Sequence, residues 1–306
     1  MIHDSHASGF LLLNKKPGAS SFDSLTGLKK AFGTGKAGHT GTLDKFASGL
    51  LLVLVGRGVK LAPLFDDCTK EYTGTVFFGS ETDTLDPEGR VIAHGPIPSR
   101  EEVEAVLPMF RGNILQAPPA YSALHINGRR AHELAREGKE PEMKKRPVTI
   151  HELEIISWTP PEAVIHARVS AGTYIRSLAR DIALAAGSRS YLSRLERNGI
   201  GPFRLEHSVT DSGDREALIN ALRPLDRSLF EALSLPCFFL DERAAEGFIH
   251  GQPLEKLLGP GSAEPAKAAG VFRISPGAGD SSEEKFLGFL ESKNGTWSYG
   301  HVFADY

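Results

Sequence analysis

The chain has 306 residues, 41% hydrophobic and 24% charged, the balance of a globular protein of one large domain or two. Its longest apolar run, Leu50–Val55, is far short of the roughly 20 residues of a membrane helix. The N-terminus carries no basic-then-apolar signal, and Cys68 and Cys237 form neither a disulfide framework nor a metal-type pair, which fits a reducing cytoplasm. The net charge of −3 argues against a polyanionic partner, but residues 15–70 carry nine Lys/Arg against four acids, 124–150 seven against four, and 168–204 seven against two, leaving −16 elsewhere. A chain segregated in this way can present a basic face and an acidic back.

Residues 10–16 read as a short buried strand, and Pro17-Gly18 as a turn. Ser20 with Asp23 is a capping-box pattern, and Phe22, Leu25, Leu28 and Phe32 predict a helix over 21–32 that Gly33 and Gly35 stop. A Gly/Thr-rich loop with one carboxylate, Asp44, then leads into the apolar stretch 49–65. Residues 70–79 alternate as a strand with Tyr72 near its start, and 80–89 is a polar turn-rich loop. Ser99 and Glu102 cap a helix running through Phe110. Residues 111–147 read as irregular and basic, extended at Ala117-Pro118-Pro119 and with a short helix near 129–137. Strands follow at 147–158 and 163–171, then a helix Ile175–Ala186 ended by Gly187. Leu192 and Leu195 at a spacing of three predict a short helix over 190–198, and 215–225 reads as another. From 234 proline and glycine become dense, with strands at 271–275, 285–291 and 296–303 and a hairpin turn at Asn294-Gly295.

Several motifs fail on inspection. Gly33-x-Gly35-x-x-Gly38 follows a helix where a dinucleotide fingerprint needs a strand, and Gly35-Lys36 precedes Ala37 where a Walker A loop needs Ser or Thr. His132-Glu133 has Arg136 where a zinc helix needs its second His, and no ligand spacing predicts a metal. Asp44 has two readings. It bonds its own loop backbone, or it is a covalent nucleophile kept ionised by a neighbouring cation. Arg176, at a helix start, is a candidate bidentate partner or a surface arginine. Tyr72 and Tyr174 are candidate platforms for a stacked base or packing residues, and Leu192 reads as core.

Gly38–Leu51, GHTGTLDKFASGLL, resembles the signature loop of TruB-type tRNA pseudouridine-55 synthases. Residues 70–89, 118–138 and 172–195 resemble their second, third and fourth motifs, and 9–21 their N-terminal strand and turn. The resemblance implies an α/β (α+β) pseudouridine-synthase fold, with a mixed, largely antiparallel central sheet and a small C-terminal β-barrel-like, PUA-type domain. The catalytic domain would span 1–230 with a basic RNA-binding arm at about 118–147, and the C-terminal domain 234–306. Asp44 would be the catalytic nucleophile, Arg176 its partner, and Tyr72 the base-stacking residue that assists proton loss. His39 would touch RNA beside the extruded uridine, while Tyr174 and Leu192 would line the uracil pocket. The substrate would be the T-arm stem-loop of tRNA, met by a cytoplasmic monomer with no cofactor, metal or membrane. A tRNA-binding chaperone with secondary catalysis, and a synthase guided by a separate RNA, are the alternatives. The sequence departs from the family where Lys45-Phe46 replaces a proline after the aspartate, and where His125 and His132 replace lysine and tyrosine.

Overall fold

The computed structural model describes residues 7–303 apart from 123, 127, 138, 140–142, 211–213, 259–265 and 277–281. The first half runs β1 (Gly9–Lys15), α1 (Ser24–Ala31), β2 (Ala37–His39), β3 (Ser48–Val55), a 3-10 segment (Gly56–Phe65), β4 (Lys70–Phe78), β5 (Ser80–Thr82), β6 (Val91–His94), α2 (Arg100–Val106), β7 (Gly112–Gln116), β8 (His125–Ile126), β9 (Arg129–Arg130) and α3 (Ala131–Arg136). It continues through β10 (Arg146–Thr159), β11 (Glu162–Val169), α4 (Ile175–Ala185), β12 (Ser190–Ile200), β13 (Phe203–Arg204), β14 (Val209–Thr210), α5 (Arg215–Asn220) and α6 (Arg227–Ala232). Last come β15 (Cys237–Leu240), α7 (Glu242–Ile249), α8 (Leu254–Leu258), β16 (Ala268–Pro276), β17 (Ser282–Lys293) and β18 (Thr296–Val302).

A mixed ten-stranded sheet, in the order β14-β1-β3-β12-β4-β11-β10-β7 with β2 added to β3 and β13 to β12, forms the body. Only β1–β14 and β3–β12 pair in parallel among its described strands. β3 is apolar from Leu50 to Val55 because both of its faces are covered. Leu51, Val53 and Val55 pack with Leu25 and Leu28 of α1, whereas Leu50, Leu52 and Leu54 pack with Leu61, Phe65, Phe230, Phe272 and Phe289. The second group joins the body to a four-stranded sheet, β15-β16-β17-β18, which stays open and closes no barrel among the described residues. Its β17–β18 turn has positive φ at both Asn294 (53°) and Gly295 (75°), as a two-residue hairpin requires.

Four expected elements differ. Residues 190–198 are not a helix but part of the central strand β12. A register shift between Leu192 and Arg194 moves the buried side from 190 and 192 to 195, 197 and 199, so the spacing of three is a bulge imitating a helical turn. Residues 111–147 include the edge strand β7, which pairs with β10. The first helix starts at Ser24, because Ser20 and Asp23 close a preceding turn through Asp23 N–H to Ser20 Oγ (3.1 Å) and Ser20 N–H to Asp23 Oδ2 (3.1 Å). α5 ends at Asn220. Arg223, which precedes Pro224 and so avoids helical geometry, instead exchanges both backbone hydrogen bonds with Phe10. Parts of the expected arm, residues 123, 127, 138 and 140–142, lie outside the described residues, as do the side chains of His125 and His132.

Candidate active site

The Asp44 loop springs from a fork in the sheet. One edge of β3 pairs with β12 at Ser48 and Gly49 and with β2 from Val53 to Val55, and the loop leaves between the two. A bare strand edge inside a protein must find donors for its carbonyls. Arg197 of β12, only 1% exposed, supplies them, with Nε donating to Leu50 O at 2.7 Å and Nη2 to Gly41 O at 3.1 Å. Lys15, at the end of β1 and fully buried, donates from Nζ to Ala19 O (2.8 Å), Lys16 O (3.0 Å) and Lys45 O (3.3 Å). Ser21 accepts from Leu43 N–H at 2.9 Å and donates to Leu43 O at 3.1 Å, while Gly18 N–H donates to Lys45 O at 2.8 Å. The loop backbone on both sides of Asp44 is thereby fixed. Gly49 sits between the two cations in register, facing Lys15 on one side and Arg197 on the other. Its φ of +106°, and an Arg197 oxygen 2.5 Å from where a Cβ would stand, require glycine.

Arg176 comes to Asp44 from the first turn of α4. The helix start is clamped by Gln116, whose side chain accepts from Tyr174 N–H at 2.8 Å and donates to Tyr174 O at 3.1 Å. Arg176 is 4% exposed and spends all five of its N–H donors. Nε and Nη2 each donate to one Asp44 carboxylate oxygen at 2.8 Å. Nη1 donates to Thr84 O (2.8 Å) and Asp86 Oδ2 (3.2 Å), and Nη2 also to Tyr121 O (3.1 Å). The Asp44 side chain keeps 34% of its surface open. A planar fork on a carboxylate fixes its direction as well as its charge.

The field around the pair is set by burial. Burial pushes the Asp86 carboxyl above the ordinary range, against the opposing pull of the Thr84 hydroxyl and Arg176. Burial lowers the Lys15 ammonium to about 8, with Asp44 attracting the charge and Arg197 repelling it. His39, the last residue of β2, is lowered first by burial and then by Arg197, so its imidazole is neutral at pH 7, and its buried Nδ1 has no hydrogen-bond partner. Tyr72 pairs with Arg197 in the sheet, so both side chains leave on one face. Tyr174 caps α4, and burial raises its phenol. Leu192 is fully buried in the core cluster against which Tyr72 packs, its N–H donating to Leu85 O at 3.1 Å.

A family model described as TruB family pseudouridylate synthase, N-terminal domain, matches residues 29–175. The tRNA pseudouridine synthase B of Burkholderia mallei (strain NCTC 10247) is 40% identical over 292 residues, covering 94% of each chain. That of Borreliella burgdorferi (strain ZS7) is 44% identical over 221 residues, 71% of this chain and 78% of the relative. The chain belongs to the TruB family. Its fold is also that of a solved Cbf5-Nop10-Gar1 complex, with a TM-score of 0.67 and 23% identity over 97% of this chain and 84% of that one. This TruB-family chain is therefore an RNA uridine isomerase. Sequence reasoning missed four of its site residues: Asp86, Gln116, Lys15 and Arg197. Asp86 stands within the resembling stretch 70–89, but three of these four act on backbone groups, which a sequence does not mark.

Proposed function

We propose that the protein converts the T-arm uridine of tRNA for which pseudouridine-55 synthases are named, working as a cytoplasmic monomer with Asp44 as nucleophile. Action on tRNA follows from the family and its relatives. The observation that carries the residue assignment is the Asp44–Arg176 fork, in which a buried arginine with no spare donor directs one partly open carboxylate. Two free thiols, Cys68 and Cys237, support a reducing compartment.

The reaction is an isomerisation. The N1–C1′ bond breaks, the uracil turns, a C5–C1′ bond forms, N1 takes a proton and C5 releases one. The base must first leave its stack, at about a few kcal/mol. Tyr72 replaces the lost stacking and Tyr174 and Leu192 shape the uracil pocket, with neutral His39 at the rim beside the extruded nucleotide. Asp44 acts at the sugar–base centre while Arg176 holds its direction. Tyr72 assists loss of the C5 proton through a base or water. The basic arm grips phosphates, although Arg129 and Lys139 already share Glu137.

The test is release of tritium from a tRNA transcript labelled at uracil C5. Wild-type protein releases it and Asp44→Asn does not. Release that survives in Asp44→Asn removes Asp44 from the mechanism, and a folded wild type that binds tRNA without release favours a binding protein.

A further inference from the structure

Lys45 follows Asp44 directly, and its backbone is pinned at the carbonyl by Gly18 and Lys15. Its side chain is 58% exposed, with the ammonium 3.5 Å from an oxygen of Glu88, which is 48% exposed. Glu88 belongs to the turn that supports Arg176 from behind. Its N–H donates to Asp86 Oδ1 at 3.0 Å, Asp86 and Thr84 accept from Arg176, and Arg176 holds Asp44. The contacts close a ring, Asp44–Arg176–Asp86–Glu88–Lys45. Every non-covalent link in it is at least partly buried except the last, Glu88–Lys45, which lies in solvent.

Among the described residues, four cations adjoin the Asp44 loop: Lys15, Arg176, Arg197 and Lys45. The first three are buried and spent on carbonyls and carboxylates. Lys45 is held, among the described residues, by one long, exposed pair, which contributes little to stability and is screened by salt. The other acid facing it is Asp23, and that carboxylate is engaged by the Ser20 hydroxyl at 2.6 Å and the Ser20 N–H at 3.1 Å. A nucleotide with its sugar at Asp44 brings its flanking phosphates within reach of the next side chain along. We propose that Lys45 is a phosphate-contacting residue that exchanges Glu88 for the RNA backbone beside the target nucleotide. The proposal rests on the reading of Asp44 given above. Glu88 holds Lys45 over the site mouth in the free enzyme, and the polyanion displaces it without disturbing the buried links behind Arg176.

The test is equilibrium binding of a tRNA transcript across a salt series by full-length wild type, Lys45→Gln, Lys45→Arg and Glu88→Gln, each checked for an unchanged unfolding midpoint. Removing one phosphate contact makes the plot of log Kd against log salt shallower by about 0.7 to 0.9. Lys45→Gln is expected to show that change, Lys45→Arg to keep the wild-type slope, and Glu88→Gln to bind up to about fivefold more tightly. A wild-type slope in Lys45→Gln overturns the proposal. So does weaker binding by Glu88→Gln, which would make the bridge itself the working element. Tritium release is read in parallel, so failure of the Asp44 chemistry shows as lost turnover with the slope comparison intact.

Discussion

Replacing Arg176 by lysine keeps the charge and removes the fork. The guanidinium makes five donations, two to Asp44 and one each to Thr84 O, Asp86 Oδ2 and Tyr121 O. An ammonium has three donors on one nitrogen and cannot span both Asp44 oxygens and the carbonyls behind them. At least two acceptors lose their partner. Hydrogen bonds to a charged group are worth about 1.5–3 kcal/mol each, so the loss is about 3–6 kcal/mol. Asp44 is partly open to water, which recovers some of this and places the expectation near 3 kcal/mol. The kinetic effect is larger, because a reacting group displaced by about 1 Å costs about a hundredfold. Arg176→Lys is therefore expected to lower kcat for tritium release by at least about a hundredfold, with far-UV circular dichroism unchanged and the urea midpoint reduced. Arg180→Lys, on the same helix but in a partly buried pair with its neighbour Asp181, is the control and should stay near wild type. Turnover by Arg176→Lys close to that of the wild type would refute the claim that the fork directs Asp44.

Asp86→Asn removes a buried charge while keeping the shape. The folded-state pKa of Asp86 is raised, so its contribution lowers stability as pH rises from about 4 through the raised value. Urea unfolding of the variant should lack that slope, and tritium release should fall about tenfold as Arg176 loses its rear support. The Lys15 ammonium gives up its proton at about 8 in the folded protein and nearer 10.5 unfolded, so over that window stability rises with pH. Turnover should fall over the same window, because a neutral amine holds the Lys45 carbonyl less firmly. Stability and activity that decline together above pH 8 would exclude this role. Gly49→Ala puts a methyl against the Arg197 backbone at a positive φ and should cost about 2–4 kcal/mol, read as a lower urea midpoint.

The sequence marks local features well and long-range ones poorly. The capping box at Ser99 and Glu102 is local, and both of its hydrogen bonds are present. The hairpin at Asn294-Gly295 is local too. β12 imitates a helix in sequence because its alternation skips at a bulge, and pattern reading has no access to the partner strand that imposes the skip. The pattern therefore places Arg197 on a short helix, whereas it is a buried cation filling a gap between two strands. Asp44 stood out as the single acid of a glycine-rich loop. What steadies that loop, from Lys15 and Ser21 to Arg197, arrives from 22 to 156 residues away or acts on carbonyls that every residue possesses.

The wall behind β3 bears on how separable the parts of the molecule are. Leu50, Leu52 and Leu54 begin two residues after the loop's end at Ser48, and they share one core with Phe230, Phe272, Phe289 and Phe303. The C-terminal sheet reads as an appendage by its proline and glycine, yet it supplies the back surface of the strand on which the Asp44 loop is mounted. Excising it would strip Phe272, Phe289 and Phe303 from that cover and leave the back of the strand shielded in part, by body residues such as Leu61 and Phe65. Modularity in the sequence and modularity in the fold diverge here, and fusions or truncations near residue 234 inherit the difference.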